Sequence, residues 1–444
     1  MSGMNPNLPI PQSTIAAHLD RLGIRDLSRA TIREIVRLAC DLEQETGVPF
    51  VHMEMGVPGL EPSPIGVEAE IAALRSGVAR SYPPVDGIPS LKTEMARFVK
   101  NFIDVDVQPE GCVPTVGSMQ GGMAAFMLFN RCVKGKERIL FIDPGFPVQK
   151  QQLRVLGFEY DTFDVYDYRG KALRGKLEEF LAKGHTSAIL YSNPNNPSWV
   201  CLTEEELSII GDLSRQYDVP VIEDLAYFAM DFRCDLSQPG KPPYQASVAR
   251  YTDTWMMLIS SSKAFSYAGQ RIGCLVMSDV LFNRQYEHLG QYFPSTMFGR
   301  ALIYGAMYAL SSGVAASVQH GFAAMLKAAN DGVFNFVNEV REYGRRAHEM
   351  KRIFTENGFY VVYDRDGEAE LADGFYFTIA YPKFSGDELL RALLAWGITA
   401  ISLGSTGSLR TEGLRACVSH VYPSQFADLQ ARLKAFHELH GEKK

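Results

Sequence analysis

Short apolar runs rich in β-branched and aromatic residues alternate with longer polar segments between about residue 115 and residue 280. The runs cover residues 139–142, 187–191, 219–222 and 256–259. Between two of them, the amphipathic segment from Thr203 to Tyr217 opens with a capping box formed by Thr203 and Glu206. Such alternation is typical of strands joined by crossover helices, and it predicts an α/β fold with a parallel, doubly wound sheet.

The two ends of the chain predict a second, smaller α/β unit. An apolar helical stripe at residues 30–45 ends at Gly47. The C-terminal part contains a long helical region from about 300 to 357, apolar runs at 360–363 and 374–377, and helices at 385–396 and 423–440. We interpret the chain as an N-terminal segment of a small domain at 1–60, a large domain at 61–320, and the C-terminal part of the small domain at 321–444.

Composition excludes several classes of protein. The 444 residues are 46% hydrophobic and 21% charged, which is typical of globular chains and excludes a disordered tail or scaffold. The net charge is −7 and there is no dense Lys/Arg run apart from the terminal Lys443 and Lys444, so we expect no nucleic-acid partner. Apolar stretches such as residues 123–129 are far shorter than the roughly 20 residues that span a bilayer, so we expect no membrane span.

The N-terminus, the cysteines and the histidines bear on location and metal content. Met1–Asn7 lacks a charged region followed by an apolar one, so it does not resemble a secretion signal and indicates a cytoplasmic protein. The seven cysteines form no C-x-x-C pair, and in apolar surroundings such as those of Cys40 we expect buried reduced thiols. The nine histidines lack H-x-x-x-H spacing, so we expect no metal site.

Polar segments directly follow three of the apolar runs. They are Ser192 to Ser198, Glu223 to Tyr227, and Ser260 to Lys263. Taken singly, Asn-Pro pairs are turn formers, an Asp after a strand caps a helix, and Ser-rich loops are common. Because ligands bind at the carboxyl ends of strands in an open parallel sheet, these segments together, with Gly269 to Gly273 close behind, predict one crevice.

Two of these segments carry specific motifs. Ser260 to Gly273 fits Ser-x-Ser-Lys-x(5)-Gly-x-Arg-x-Gly, and Asn193 to Ser198 fits Asn-Pro-x-Asn-Pro-Ser. On these motifs the sequence resembles, over most of its length, the aminotransferase class I/II family, the fold-type-I enzymes that use pyridoxal 5'-phosphate. The resemblance implies a large domain with a mostly parallel seven-stranded sheet between helices, a smaller α/β domain, and pyridoxal 5'-phosphate as the cofactor.

Lys263 is the candidate for the amine that this cofactor needs. The amine forms a Schiff base with the aldehyde and then moves a proton between the substrate Cα and the cofactor. A free lysine, with a pKa of about 10.4, would be protonated and inert, so we expect the neighbouring Arg271 and partial burial to lower the pKa of Lys263. A solvated loop lysine is the alternative.

The resemblance assigns further residues to the cofactor ring. Asp224 matches the aspartate that keeps the pyridine nitrogen protonated, whereas Glu223 points to the opposite face of the strand and is expected to be structural. Tyr227 and Asn196 match the pair that hydrogen-bonds the phenolic oxygen. Phe146, just beyond an earlier apolar run, matches the aromatic residue that stacks on the ring, and a core phenylalanine is the alternative.

A phosphate needs backbone N–H groups at the start of a helix together with a fixed cation. Val116–Gly122 leads into an apolar helix and provides that context, while its glycine spacing does not fit the G-x-G-x-x-G of dinucleotide sites. A plain helix N-terminus is the alternative. The resemblance assigns the phosphate cup to Ser118, Met119, Ser260, Ser262 and Arg271.

Other positions concern a partner subunit and the substrate. Tyr82 resembles the tyrosine that reaches across a homodimer to the neighbouring phosphate, which implies shared active sites; a plain turn is the alternative. Arg415 resembles the family's arginine for the substrate α-carboxylate, which a guanidinium binds bidentately, and Gly56 and Asn196 are assigned to the substrate with it. A surface ion pair is the alternative for Arg415, and Arg410 stays unassigned.

Trp199 departs from the family pattern, which has glycine at this position after Ser198. A glycine permits a positive φ that tryptophan resists. Two outcomes stay open: the loop takes another path, or the indole lines the pocket and alters substrate preference.

The resemblance implies an aminotransferase that moves an amino group between an amino acid and a 2-oxo acid through a Lys263 Schiff base. A C–S β-lyase or a decarboxylase on the same fold is the alternative, because the residues above do not separate these reactions. A cofactor-sensing regulator would need a nucleic-acid-binding domain, and residues 1–60 contain no basic helix-turn-helix pattern.

Overall fold

The structure is a computed structural model that describes residues 8–441. The segment Met1–Asn7, on which the leader prediction rests, and the terminal Lys443 and Lys444 lie outside the described residues. The strands are β1 (Val51–His52), β2 (Cys112–Thr115), β3 (Arg138–Asp143), β4 (Tyr160–Asp164), β5 (Thr186–Ser192), β6 (Val221–Leu225), β7 (Trp255–Ser260), β8 (Gly273–Met277), β9 (Tyr360–Val361), β10 (Arg365–Asp366), β11 (Ala369–Glu370), β12 (Tyr376–Ala380), β13 (Ile398–Thr399), β14 (Ile401–Ser402) and β15 (Leu414–Cys417). The helices are α1 (Gln12–Leu22), α2 (Ile32–Thr46), α3 (Pro64–Arg75), α4 (Pro89–Ile103), α5 (Gly117–Cys132), α6 (Pro147–Leu156), α7 (Ala172–Leu181), α8 (Glu204–Tyr217), α9 (Ser261–Ala264), α10 (Asp279–Asn283), α11 (Phe298–Ala301), α12 (Tyr308–Ser311), α13 (Ala316–Asn330), α14 (Phe336–Val340), α15 (Glu342–Glu356), α16 (Gly386–Leu394) and α17 (Phe426–His440), with a π-helical segment Leu302–Met307 between α11 and α12.

The central sheet has seven strands in the order β2-β8-β7-β6-β5-β3-β4. β8 runs antiparallel to both neighbours and the other pairs are parallel, so the mostly parallel seven-stranded sheet is confirmed. Successive residues face two different cores: Ile189 and Met257 lie in one, and Leu190 and Leu258 lie in the other. Both faces are covered, which explains the uninterrupted apolar runs in the sequence.

The two ends of the chain share a third core. β1 pairs in parallel with β13, and the antiparallel sheet β14-β15-β12-β9 packs into the same core. This packing supports the predicted division into a large and a small domain. The predicted boundary between residues 320 and 321 falls inside α13, however, and Phe322 and Leu326 of this helix are buried in the core of the large sheet. We therefore propose a boundary near Val340, where the shared core resumes.

Glycines set the helix ends of these two parts. α2 begins at a capping box of Thr31 and Glu34, and Gly47 caps its C-terminal end. The sequence predicts the end at Gly47. The long helical region expected from 300 to 357 is instead divided, with one break at Ser312 and Gly313, which have φ values of 56° and 116°, and another at Gly332, which has a φ of 71°. A left-handed residue ends a helix because the chain leaves the helical hydrogen-bond ladder there.

Two of the seven cysteines differ from the sequence-based expectation. All seven cysteines are free, but Cys40 and Cys234 are exposed, so the prediction of buried thiols is wrong for these two. α2 turns Leu38 and Leu42 to the core and leaves Cys40 on its outer face. Within residues 8–441, no helix is long and apolar enough to cross a bilayer, and no group of three or more His, Cys, Asp or Glu side chains is arranged to hold a metal ion.

Candidate active site

The carboxyl ends of β5, β6 and β7 meet at one edge of the central sheet. Ser192 is in register with Asp224, and Leu225 is in register with Ile259. The segments that follow these strands therefore lie side by side, as the sequence predicts. They carry Asn196, Asp224, Tyr227 and Lys263.

Lys263 lies in the short helix α9, directly after β7. The Ser260 hydroxyl caps this helix by accepting a hydrogen bond from the Ser262 N–H at 3.1 Å. The Lys263 Nζ donates to the carbonyl of Gly56 and lies 5.3 Å from the centre of the Phe375 ring. The amine is thus held between the sheet edge and the smaller unit.

The environment of Lys263 favours its neutral form. Burial lowers the pKa of Lys263 to about 8; the charges of Arg271 and Arg415 act in the same direction, and Cys417 opposes them. A lysine with such a pKa has an appreciable neutral fraction near neutral pH, which an amine nucleophile requires. The solvated-lysine alternative does not agree with this environment.

Asp224 is a buried carboxylate at the end of β6. Its Oδ2 accepts a hydrogen bond from Gln149 Nε2 at 2.8 Å, and its Oδ1 accepts one from the Ala226 N–H at 3.2 Å. Burial raises the pKa of Asp224 to about 6, against the effect of these two bonds. No Lys, Arg or His among residues 8–441 forms an ion pair with it. A cationic group would therefore stabilise its charged form.

Glu223, the neighbouring carboxylate, has a different environment. It accepts hydrogen bonds from the Tyr191 hydroxyl, the Ser247 hydroxyl at 2.6 Å and the Val248 N–H at 3.0 Å. These bonds tie β6 to β5 and to the loop before β7. The expectation that Glu223 is structural and faces away from Asp224 is confirmed.

The small sheet supplies the opposite side of the site. β12 and β15 pair Tyr376 with Cys417 and Thr378 with Arg415, so these side chains share one face. Arg415 is 2% exposed, and its guanidinium carbon lies 4.6 Å from the centre of the Tyr376 ring. The surface-ion-pair alternative for Arg415 is wrong, because the side chain is buried.

The guanidinium of Arg415 has donors to spare. Its Nη1 donates to Asn196 Oδ1 at 3.4 Å, its Nη2 donates to the Glu54 carbonyl, and its Nε is buried without a partner. In the part of the chain that the structure describes, Arg415 forms no ion pair. A buried guanidinium in this state is suited to bind an anion bidentately.

Two tyrosines join the halves of the site. Tyr227 and Tyr376 are both buried, and the Tyr227 hydroxyl donates to Tyr376 Oη at 2.8 Å. Burial raises the pKa of both phenols well above the ordinary value, so both are protonated. Gly56 lies against Tyr376, because a Cβ at this position would collide with the Tyr376 hydroxyl. Glycine is thus the residue that fits beside Tyr376.

A narrow cradle lies at the start of α5. β8 places Gly273 opposite Ser260, and a Cβ at Gly273 would lie 3.3 Å from the Ser118 nitrogen. The Gly117 N–H donates to the Arg271 carbonyl at 3.0 Å. Gly117 has a φ of 64°, and a Cβ there would collide with the Arg271 guanidinium. The first turn of α5 and the Arg271 side chain therefore face the same space beside Ser260.

The chemistry of this cradle suits a phosphate. Ser118 is half-buried, Met119 is exposed, and Ser262 is buried next to the amine. The Arg271 guanidinium donates to the Ala268 carbonyl at 2.9 Å and forms no ion pair among residues 8–441. A helix N-terminus with an unpaired cation attracts an anion with about two charges.

Two assigned residues lie apart from this cluster. Phe146 is half-buried at the N-cap of α6, the helix that carries Gln149, so it is not a core phenylalanine. Tyr82 is 93% exposed and does not pack into the site of its own chain. Its role in a dimer stays a prediction.

Trp199 has a φ of 65°, in the left-handed region that glycine permits and tryptophan resists. Its indole is buried against Gly374, where a Cβ would collide with it, and Nε1 has no partner. The ring lies edge-on to Tyr227, with centroids 5.3 Å apart. The backbone thus adopts a positive φ in spite of the tryptophan, and the indole packs against Tyr227 and Tyr376. Left-handed backbone costs tryptophan about 1–2 kcal/mol, which this burial offsets.

The sequence analysis missed two residues of the site. Gln149 is a polar residue on a helix, and no pattern marks a helical amide as the partner of a distant carboxylate. Tyr376 was included only in the apolar run at 374–377, because its approach to Tyr227 depends on strand register. Phe375 beneath Lys263 belongs to the same run.

These groups match the parts of pyridoxal 5'-phosphate. The cradle at Gly117 and Arg271 would take the phosphate, and Asp224 would pair with the ring nitrogen. Lys263 would meet the aldehyde. Asp224 and Arg415 are buried charges that form no ion pair within residues 8–441, and they would thereby gain ionic partners from the cofactor and a substrate carboxylate.

Comparison with known proteins supports this match. The family model described as aminotransferase class I and II matches residues 50–431. A probable aspartate aminotransferase of Methanocaldococcus jannaschii is 22% identical over 351 residues, which are 74% of this chain and 87% of that protein. An S-alkyl-thiohydroximate lyase of Arabidopsis thaliana is 25% identical over 259 residues, which are 57% of this chain and 54% of the relative.

A solved structure shows the same fold. The alanine aminotransferase from Pyrococcus furiosus superposes with a TM-score of 0.75 at 18% identity, covering 94% of this chain and 99% of that one. The fold-type-I architecture expected from the sequence is confirmed. The predicted cofactor and the predicted transaminase activity are confirmed at the level of the family. The chain therefore belongs to the aminotransferase class I and II family, whose enzymes use pyridoxal 5'-phosphate.

Proposed function

We propose that this chain transfers an amino group between an amino acid and a 2-oxo acid, with Lys263 as the amine that holds the cofactor and moves the proton. The observation that carries the proposal is that Lys263, whose pKa is lowered, shares the site with Arg415. Arg415 is buried and forms no ion pair within residues 8–441. When bound, pyridoxal 5'-phosphate supplies the aldehyde and a ring that accepts electron density from the substrate Cα.

Each side chain then has a separate task. Arg415, with Asn196 beside it, binds the α-carboxylate and fixes the orientation of the Cα–H bond. Lys263 would hold the cofactor through its amine and, in its neutral form, would move the proton of the substrate Cα. Asp224 would pair with the protonated ring nitrogen and keep it protonated. Gln149 fixes Asp224 through its hydrogen bond to Oδ2.

The remaining assigned residues hold the cofactor in place. We propose that Ser118, Met119, Ser260, Ser262 and Arg271 bind the phosphate and that Phe146 stacks on the ring. Tyr227 and Asn196 contact the phenolic oxygen, and Gly56 leaves room for the substrate. The supporting geometry is the cradle at Gly117 and the position of Phe146 on the helix of Gln149.

A β-elimination lyase or a decarboxylase uses the same cofactor groups, and one relative is a lyase. An amino-acid panel, with and without 2-oxoglutarate, separates the reactions. Transamination predicts that glutamate and a new 2-oxo acid form only when the acceptor is present. Release of pyruvate with ammonia, or of carbon dioxide, without an acceptor would contradict the proposal.

We also propose a homodimer with shared active sites. A continuous face supports it: Gln120 Nε2 donates to Ser311 Oγ at 2.6 Å, and Gly313 lies against Val85 of the Tyr82 loop. The large exposed side chains on these segments are Tyr82, Val116, Met119, Tyr308 and Leu310. An apolar face of this kind is typical of a subunit contact.

Complementation tests the sharing of sites. A Tyr82→Phe subunit mixed with a Lys263→Ala subunit should give hybrid dimers in which one site is intact and the other has both changes. Activity above that of either unmixed protein is the expected result. Absence of any recovery, although hybrids form, would contradict a cross-subunit role for Tyr82.

We further propose a cytoplasmic enzyme of amino-acid biosynthesis. The free state of all seven cysteines supports a reducing compartment. Cell fractionation with an antibody against the full chain tests the location. Recovery in a membrane or extracellular fraction would contradict it.

A further inference from the structure

The pairing of β12 with β15 places Tyr376 beside Arg415. In the antiparallel pair β12 and β15, Tyr376 lies opposite Cys417 and Thr378 lies opposite Arg415. Tyr376 and Arg415 are therefore diagonal neighbours on one face, and the guanidinium carbon lies 4.6 Å from the ring centre. The guanidinium of Arg415 thus packs on the Tyr376 ring.

The hydroxyl of Tyr376 reaches the other half. It accepts the hydrogen bond of the Tyr227 hydroxyl at 2.8 Å, and both phenols are buried. Each hydroxyl has one proton to donate. If the Tyr227 proton turns to a cofactor oxygen, the Tyr376 hydroxyl can rotate and donate to Tyr227 with no movement of heavy atoms. Two hydroxyls donating in series polarise each other, which makes the terminal donor stronger.

Three contacts fix Tyr376 in this position. The Gly56 backbone lies against its hydroxyl, and the carbonyl of the same glycine accepts from Lys263 Nζ. The Trp199 ring lies edge-on to it, with centroids 6.2 Å apart. Phe375 packs on it from the preceding position, with centroids 5.1 Å apart. The side chain therefore has little freedom to leave Tyr227 or Arg415.

We propose that Tyr376 is a positioning residue of this active site, which orients the Tyr227 hydroxyl toward the cofactor and supports the Arg415 guanidinium for the substrate carboxylate. The inference rests on the proposed function, because Tyr227 and Arg415 act there on cofactor and substrate. One side chain then links the hydrogen bond at the cofactor to the carboxylate site. Tyr376 itself need not touch either molecule.

The test is Tyr376→Phe in the holoenzyme, which removes the hydroxyl and keeps the ring. The absorbance of the Lys263 chromophore is titrated with pH. Because Tyr227 becomes a weaker donor to the phenolic oxygen, the apparent pKa of the chromophore should rise by about half a unit to one unit. The ring under Arg415 remains, so KM should rise less than about threefold.

Two further variants make the test specific. Tyr363→Phe is the matched control, because its buried hydroxyl bonds Asp164 at 2.7 Å and Ser408 at 2.5 Å, and neither residue is a partner of Tyr227 or Lys263 in the described structure. It should leave the chromophore pKa unchanged. In a Tyr227→Phe background, Tyr376→Phe should add no further shift, because Tyr376 acts through Tyr227. Far-UV circular dichroism and cofactor content verify that each variant folds and binds.

The outcomes separate this inference from the function that it rests on. A shift in Tyr376→Phe that is absent in Tyr363→Phe and lost in the Tyr227→Phe background supports the role. The role would be overturned if the wild-type chromophore titrates but its pKa does not shift in Tyr376→Phe. Equal pKa shifts in Tyr376→Phe and Tyr363→Phe would also overturn it. A wild-type protein that forms no chromophore would instead overturn the proposed function, and with it this inference.

Discussion

Arg410 and Arg415 lie close together in the chain and have opposite electrostatic surroundings. In the contact region between the two parts of the chain, Arg410 donates to Asp167 at 2.6 Å and approaches Asp164 at 3.4 Å. In the active site, Arg415 meets no carboxylate within residues 8–441 and leaves its Nε buried without a partner. Arg410 is thus paired with carboxylates of the same chain, whereas Arg415 has donors free for a ligand.

Asp164 and Asp224 differ in their surroundings in the same way as the two arginines. Asp164 in the contact region accepts from the Tyr363 hydroxyl, the Leu409 N–H and Arg410. Asp224 in the site accepts from an amide and a backbone N–H, and burial raises its pKa to about 6. Charges in the contact region stabilise the chain, whereas those in the site cost stability until a ligand arrives. Stability and activity should therefore respond oppositely to substitution in the two regions.

The largest expected effect comes from Asp224→Asn. Without a carboxylate for the ring nitrogen, kcat should fall at least about 10³-fold. The apo-protein should become more stable at pH 7, by up to about 3 kcal/mol, because the pKa of Asp224 in the folded protein, about 6, lies above the ordinary aspartate pKa of 3.8. Steady-state kinetics and urea unfolding of the apo-protein measure both effects.

The pH dependence of this stability has a definite sign. Below pH 3.8 the carboxylate is protonated in both states and has no effect; between about 4 and 6 only the unfolded state ionises freely, so the wild-type apo-protein loses stability as pH rises. Asp224→Asn should lack this loss. The control Asp164→Asn should instead destabilise the protein and leave kcat unchanged. Equal destabilisation by both variants would contradict the contrast.

Arg415→Lys should have the next largest effect. A lysine keeps the charge and loses the bidentate geometry, so KM for the amino acid and the 2-oxo acid should rise about 100-fold. Chromophore formation at Lys263 should remain. Initial-rate kinetics with both substrates, together with an absorbance spectrum, check this. An unchanged KM would remove Arg415 from the substrate site.

The smallest effect is expected for Arg410→Lys, the matched substitution in the contact region. Its ion pairs are partly exposed, so the free energy of unfolding should fall by about 1 kcal/mol or less. KM should not change. A rise in KM like that of Arg415→Lys would show that the two arginines are not functionally distinct.

The sequence predicts the part of the site that depends on contiguous segments. Lys263 and Asp224 directly follow or end apolar runs, and parallel strand ends meet at one edge whatever the details of packing. The Gly117 region is similarly local, since the glycine and the helix start are adjacent. For these residues, chain position and fold class together fix the location.

Other residues depend on contacts that chain order does not encode. Gln149 reaches Asp224 only because α6 is rotated to point its amide inward, and Tyr376 reaches Tyr227 only through the register of β12 on β15. The sequence marks Trp199 as a departure from the family pattern, but the contact of its indole with Gly374 depends on the tertiary fold. The predicted domain boundary falls inside α13, because helix periodicity does not say which core a helix joins.

The central claim is that Lys263 is the amine on which this enzyme's chemistry depends. Reduction of the yellow holoenzyme with borohydride, followed by proteolysis and mass spectrometry, tests it directly. The account predicts loss of the chromophore and one phosphopyridoxyl label, on the peptide that contains Lys263, with no label in Lys263→Ala. A label on another lysine in the active wild-type enzyme, or a colourless protein that does not respond to added pyridoxal 5'-phosphate, would contradict it.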